Sequence, residues 1–161
     1  VAQIVREKEW DKPVGITLPS VVSNHTVHSA ANISPEWIGV DTTEWFSRYL
    51  DVDFVVLNDA DAAGLAEVAY GNELAKTGPV IFLTLGTGIG SAFFLNGQLF
   101  PNTELGHLTV ETNEAEAIAS SAAKEREGHH LPIDTPVMPA QLQNRAGIVG
   151  AAMAVLEGLE P

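Results

Sequence analysis

Apolar residues along this chain gather in short solid runs, and the stretches between them are rich in Gly, Asn, Asp and Pro. Residues 14–18, just after Pro13, and residues 54–57 are runs of strand length, the second of the kind buried inside parallel sheets. Residues 21–22 and 26–28 flank Ser23-Asn24-His25 and predict a hairpin. Residues 79–100 predict a three-stranded meander, turning first at the glycines between 86 and 90 and then at Asn96-Gly97. Helical signals lie between these runs. Residues 1–10 read as the last turns of a helix. Asp41 followed by Glu44 predicts a capping box and a helix that buries Trp45, Phe46, Tyr49 and Leu50. Asn58-Asp59-Ala60-Asp61 opens a helix that runs to Tyr70 and stops at Gly71. Its Ala62, Ala63, Gly64 and Ala66 allow close packing. Asn113 predicts a helix cap with Glu114 and Glu116 in the first turn. Residues 144–156 predict a closing helix with Ile148, Val149, Ala152, Met153 and Leu156 on one side. Strands alternating with helices predict an α/β protein, with a domain change around residues 71–79.

Composition narrows the picture. At 161 residues there is room for one ordinary domain or two small ones. A hydrophobic fraction of 45% supports a packed core and argues against global disorder. The formal charge of −13 argues against nucleic acid or an anionic membrane as the main partner. The absence of cysteine excludes disulfides and thiolate metal sites, and suits a cytoplasmic protein. No run is long and apolar enough to span a membrane.

Three polar clusters carry candidate chemistry. The glycines of Gly86-Thr87-Gly88-Ile89-Gly90 sit at a reversal between two apolar runs. There glycine permits positive φ and close approach of a ligand to the main chain. Successive backbone N–H groups in such a turn form an anion site, with a phosphoryl group as natural guest. Asn58-Asp59 stands where a buried strand ends and a helix begins, the place where open α/β sheets bind ligands. Alone, the pair reads as a helix cap. As a functional group, Asp59 at a helix N-terminus is expected to stay ionised and to guide a sugar hydroxyl during phosphoryl transfer. Glu104 and His107, in Pro101-Asn102-Thr103-Glu104-Leu105-Gly106-His107, place a carboxylate beside an imidazole, which matches vicinal sugar hydroxyls. Glu116 alone would be a favourable first-turn charge.

Together these residues resemble the sugar-kinase branch of the ROK family (repressors, open reading frames, kinases), in particular its bacterial polyphosphate/ATP glucokinases and glucomannokinases. Four blocks carry the resemblance: Val56-Leu57-Asn58-Asp59-Ala60-Asp61-Ala62-Ala63-Gly64-Leu65-Ala66-Glu67, residues 84–92, residues 101–108, and Leu142-Gln143-Asn144-Arg145-Ala146-Gly147-Ile148-Val149-Gly150-Ala151. The resemblance implies a two-domain α/β protein of the actin-like ATPase (ribonuclease H-like) fold, divided into residues 1–75 and 76–161, with sugar bound between the domains. It implies transfer of a phosphoryl group to the 6-hydroxyl of glucose, and of mannose as a further substrate. Asp59 matches the catalytic base. Asn58, Glu104, His107 and Glu116 match sugar contacts, with Asn32 a weaker one. Gly86, Thr87, Gly88 and Gly90 match a phosphate loop. Mg²⁺ is expected on the donor's phosphates, and the resemblance leaves room for a homodimer.

The chain also departs from the family. Many members carry a zinc site of one His and three Cys, so without cysteine no zinc is expected here. The Asp-x-Gly-Gly phosphate loop near the N-terminus is missing. A long helical segment with a Gly-rich nucleotide-contacting stretch is expected before the final helix, yet Glu127 runs straight into Gly128-His129-His130. The chain is therefore expected to omit the first strands and to join two separated segments near Glu127/Gly128. His129-His130 reads as a loop flank. Electrostatics alone favours ATP over a polyanionic donor, whereas the resemblance points to polyphosphate. The alternative is a non-catalytic sugar-binding member or fragment. A sugar-responsive repressor would need a helix-turn-helix and a basic face, and a divalent-cation domain built on Asp59 and Asp61 ranks last.

Overall fold

The computed structural model of the protein describes residues 1–86, 88–110, 113–115 and 138–158. Thr87, Glu116, the Glu127/Gly128 peptide and His129-His130 therefore lie outside the described residues. The described chain is of mixed α/β type. In order it runs α1 (Ala2–Glu7), β1 (Val14–Leu18), β2 (Val22–Ser23), β3 (Thr26–Val27), α2 (Thr42–Ser47), β4 (Phe54–Asn58) and α3 (Asp59–Tyr70). The three strands β5 (Pro79–Leu85), β6 (Ile89–Leu95) and β7 (Gln98–Phe100) follow, then β8 (Thr109–Val110), β9 (Asn113–Glu114) and α4 (Ala146–Glu157).

Strands β1 and β4 pair in parallel, Val14 beside Phe54 through Leu18 beside Asn58. This register sets the chain after β1 next to the end of β4. Strands β5, β6 and β7 form the expected antiparallel meander. Asn96 and Gly97 both have positive φ, 52° and 81°, as a two-residue hairpin turn of the primed type requires. Asn24 and His25 do the same between β2 and β3, at 48° and 61°.

Helix α3 is the centre of the molecule. Every residue from Ala60 to Val68 is buried, because elements cover it on more than one side. Its small residues allow this. A Cβ on Gly64 would fall 2.7 Å from the Phe94 ring of β6. A Cβ on Gly150 of α4 would fall 1.5 Å from the Ala62 carbonyl oxygen, so the two helices meet backbone to backbone. The buried Glu67 draws in the segment before α4, accepting from the Gln141 and Leu142 N–H groups at 2.8 and 2.5 Å.

Three expectations need correction. Helix α4 buries Ala146, Gly150, Ala151, Met153 and Ala154, while Ile148 and Leu156 are 77% and 85% exposed. Close helix contact selects the small face, and the bulky side chains turn outward. Helix α2 is only six residues long, so it buries little. Asp41 does cap it, accepting from Glu44 N–H at 2.8 Å. Leu50 is buried beyond its end, but Trp45 and Tyr49 are exposed. Trp45 packs edge-on against Trp37, with Arg48 over its ring. Finally, Asn113 and Glu114 pair with Val110 and Thr109 as strand residues, so Asn113 is not a helix cap.

Candidate active site

The β4–α3 junction is built by local rules. Asn58 takes extended backbone angles, and its Oδ1 accepts from Ala60 N–H at 2.8 Å and Asp61 N–H at 3.1 Å. It is therefore the N-cap of α3. Its Nδ2 donates to the Ser20 carbonyl at 3.1 Å and to Glu104 Oε1 at 3.3 Å. The amide thus has a structural task as well as facing the cleft. Asn58 supplies the cap, and Asp59, whose Oδ1 also accepts from Ala60 N–H at 2.9 Å, remains exposed to the cleft. The carboxyl of Asp59 is pushed above its ordinary value by partial burial, against the lowering effect of the Ala60 and Asp59 backbone N–H groups. The expectation from the helix terminus alone, a plainly ionised weak base, is modified accordingly. Loss of water outweighs the N–H groups and makes Asp59 more basic.

The 101–107 loop follows β7 and meets the first turn of α3 at Asp61, which accepts from Asn102 N–H. Ser91 of β6 grips it: its Oγ donates to the Thr103 carbonyl and accepts from Leu105 N–H at 2.9 Å. Thr103 Oγ1 returns a bond to the Ser91 carbonyl at 3.2 Å. A Cβ on Gly106 would fall 2.4 Å from the Ile89 carbonyl oxygen, so glycine lets the loop lie against β6. His107 Nδ1 lies 3.4 Å from Glu114 Oε2. With Nδ1 donating there, Nε2 is left as an acceptor for a hydroxyl proton.

The glycine turn joins β5 to β6, with Leu85 paired to Ile89. Neither Gly86 nor Gly90 has positive φ, contrary to expectation. Gly90 is required for another reason: a Cβ there would fall 2.4 Å from Thr84 Oγ1 and 3.0 Å from Ala60 Cβ. Gly86 has open space around it, as a site for close ligand approach should. Its N–H donates to the Gly88 carbonyl at 2.9 Å, so that donor must turn to serve an anion.

These three pieces enclose one cleft of about 250 Å³. Asn58, Asp59, Glu104 and His107 line it together with Gly86, Gly88 and Gly90, and Asn32 lines it as well. Only Thr87 and Glu116 among the candidate residues stand outside this description. Sequence reasoning missed Ser91, Asn102, Glu114 and the role of Asp61. Asp61 is 1% exposed and accepts from Asn102 N–H at 2.8 Å. Burial, with Glu104 and Asp59 adding repulsion, pushes its carboxyl up to about 7. No local pattern marks these residues: the partners of Asp61 and Asn102 lie 41 to 80 positions away, those of Ser91 12 to 14, and Glu114 meets His107 only through the fold of the intervening chain. Among the described residues no group of three or more His, Cys, Asp or Glu side chains gathers to hold a metal ion. No helix there is long and apolar enough to cross a membrane.

Comparison with known proteins gives the family of the chain. Residues 1–125 match the ROK family. The polyphosphate glucokinase of Mycobacterium tuberculosis strain H37Rv is 40% identical over 195 aligned residues, covering 96% of this chain and 74% of that protein. Among solved structures, the inorganic polyphosphate/ATP-glucomannokinase of Arthrobacter sp. strain KM superposes with a TM-score of 0.85 at 36% identity, over 98% of this chain and 81% of that one. A ROK family glucokinase from Streptomyces griseus, solved with glucose and AMPPNP, gives a TM-score of 0.60 at 28% identity over 70% of this chain and 40% of that one. The structural neighbours place the described chain in the actin-like ATPase fold of ROK sugar kinases.

Proposed function

The chain belongs to the ROK family, and from that premise we propose that it moves the terminal phosphoryl group of inorganic polyphosphate or ATP onto the 6-hydroxyl of glucose, and also accepts mannose. The observation that carries this reading is the shared cleft. It sets a carboxylate of raised pKa between polar side chains suited to sugar hydroxyls and a glycine turn suited to phosphate. The cleft is proposed to separate the 1–75 and 76–161 halves, and the protein to work in the cytoplasm.

Asn32, Asn58, Glu104 and His107 hold the hexose by its hydroxyls, and Glu116 joins them on the strength of the resemblance. Asn58 contributes the Nδ2 proton that it otherwise directs at Glu104. Asp59 accepts the 6-hydroxyl proton as the oxygen bonds to the terminal phosphorus. The bond from that phosphorus to its bridging oxygen breaks, and the donor leaves one phosphoryl unit shorter. The transition state is loose, so holding the hydroxyl in line matters more than the strength of the base. Backbone N–H groups of Gly88 and Gly90, with that of Gly86 once it turns from the Gly88 carbonyl, would meet the charge that develops on the transferred group, and Thr87 joins them on the strength of the resemblance. Mg²⁺ is expected as part of the donor rather than of the protein, and it would supply positive charge to offset that of the donor's phosphates.

The test is the intact protein with glucose, comparing polyphosphate and ATP as donors and measuring glucose 6-phosphate. Product from either donor is expected. Glucose binding with no sugar phosphate formed from either donor would instead identify a non-catalytic sugar-binding protein.

A further inference from the structure

Glu104 and His107 sit on a loop, so their positions depend on what grips that loop. Ser91 holds its middle. Its start is held at Asn102, which takes a left-handed φ of 59°, a conformation that Asn tolerates better than most residues. Asn102 is tied at three points. Its N–H donates to Asp61 Oδ2 at 2.8 Å. Its side-chain Oδ1 accepts from Val22 N–H at 3.0 Å, and its Nδ2 donates to the Val22 carbonyl at 2.7 Å. Two residues further on, Glu104 meets Asn58 across the cleft.

Asp61 is the unusual member of this set. It is 1% exposed, and its Oδ1 has no hydrogen-bond partner in the described structure. The salt bridges among the described residues do not include it. Glu104 and Asp59 repel its charge. Burying a carboxylate on such terms costs stability. The helix does not need it as a cap, since Asn58 fills that position. What the carboxylate does accomplish is to tie the first turn of α3, which carries Asp59, to the loop that carries Glu104 and His107.

We propose that Asp61 and Asn102 are positioning residues that set the sugar-binding loop at its working distance from Asp59. The proposal rests on the kinase reading above. The strut acts on one wall only. Asp59 is placed by β4 and α3, and the glycine turn by β5 and β6, so both stay in place when the strut is cut. A preorganised loop binds sugar without ordering itself first, and a released loop does not.

The experiment compares Asp61→Ala, Asp61→Asn and Asn102→Gly in the intact protein, with glucose affinity read by calorimetry without donor and by steady-state kinetics. Asp61→Ala and Asn102→Gly should raise the glucose Kd and KM about tenfold, on the scale of one lost hydrogen bond. The KM for polyphosphate or ATP should stay unchanged, and kcat at saturating glucose should fall less than about threefold. Asp61→Asn keeps an oxygen that can accept from Asn102 N–H and should restore most of the affinity. Unchanged glucose affinity in well-folded Asp61→Ala would overturn the proposal. So would a loss confined to kcat, or equal losses toward sugar and donor. Asn102→Gly keeps the N–H to Asp61 and loses the two side-chain bonds to Val22, so it tests the Asn102 hold on the loop by the same split, and unchanged glucose affinity there would overturn the part assigned to Asn102. If Asp61→Ala does not fold, Asp61→Ser decides the part assigned to Asp61 by that split. If the wild-type protein phosphorylates no sugar, the kinase reading fails, while calorimetry still reports whether the strut governs glucose binding.

Discussion

The two walls around Asp59 are built in different ways. On one side, β4 ends and α3 begins within two residues, and a single Asn caps the helix and exposes the Asp beside it. On the other, the 101–107 loop is held by Asp61 across 41 positions, by Val22 across 80 and by Ser91 across 12 to 14. The proposed base is therefore positioned by local backbone geometry, and the proposed sugar contacts by long-range side-chain bonds. This difference separates chemistry from affinity. Damage to the first wall should appear in turnover, and damage to the second in the Michaelis constant for sugar.

Asp59→Asn tests the first wall and should have the largest effect. The amide preserves shape and can still bond the 6-hydroxyl, but it cannot take up the proton. Turnover should fall by about a hundredfold to ten-thousandfold with glucose KM nearly unchanged. Near-normal turnover at saturating glucose and donor would reduce Asp59 to a helix residue without chemical role. Gly150→Ala attacks the support behind that wall, where a Cβ would fall 1.5 Å from the Ala62 carbonyl oxygen. A loss of about 1–3 kcal/mol or more in a denaturant melt is expected, and a neutral result would mean that α4 does not press on α3 as closely as described.

Glu104→Gln tests the second wall. It should raise the glucose KM more than it lowers kcat, and the reverse split would erase the distinction between the walls. The pH dependence of stability sharpens the same point. The Asp61 carboxyl is raised from 3.8 to about 7, and that of Asp59 is raised as well. Between these limits the folded chain keeps a proton that the unfolded chain has released, so the associated stabilisation is complete below about pH 4 and is lost as pH rises through 7. Asp61→Asn should flatten the fall in melting temperature across that interval. An identical slope in both proteins would show that Asp61 does not titrate there. The smallest effect is expected at Gly86→Ala. Space is open around it and its φ is not left-handed, so stability should stay within about 0.5 kcal/mol. Any change in donor KM would then report close approach of phosphate to the turn.

Much of this protein was legible along the chain because its signals are local. The solid apolar run of β4, the Asn58 cap, the stop at Gly71 and the Asn96-Gly97 turn all act within a few residues. So did the spacing of Asn58-Asp59, Glu104 and His107, which carries the family likeness. Tertiary structure decided the rest. It chose the small face of α4 over the bulky one, because two backbones meet at Gly150 and Ala62. It raised the pKa of Asp59 by partly burying it. It recruited Asp61, Asn102, Ser91 and Glu114, whose partners no local pattern announces. Capping and turn formation depend on neighbours in sequence, which a linear reading sees. Close packing, desolvation and long-range hydrogen bonds depend on neighbours in space, which exist only once the chain has folded.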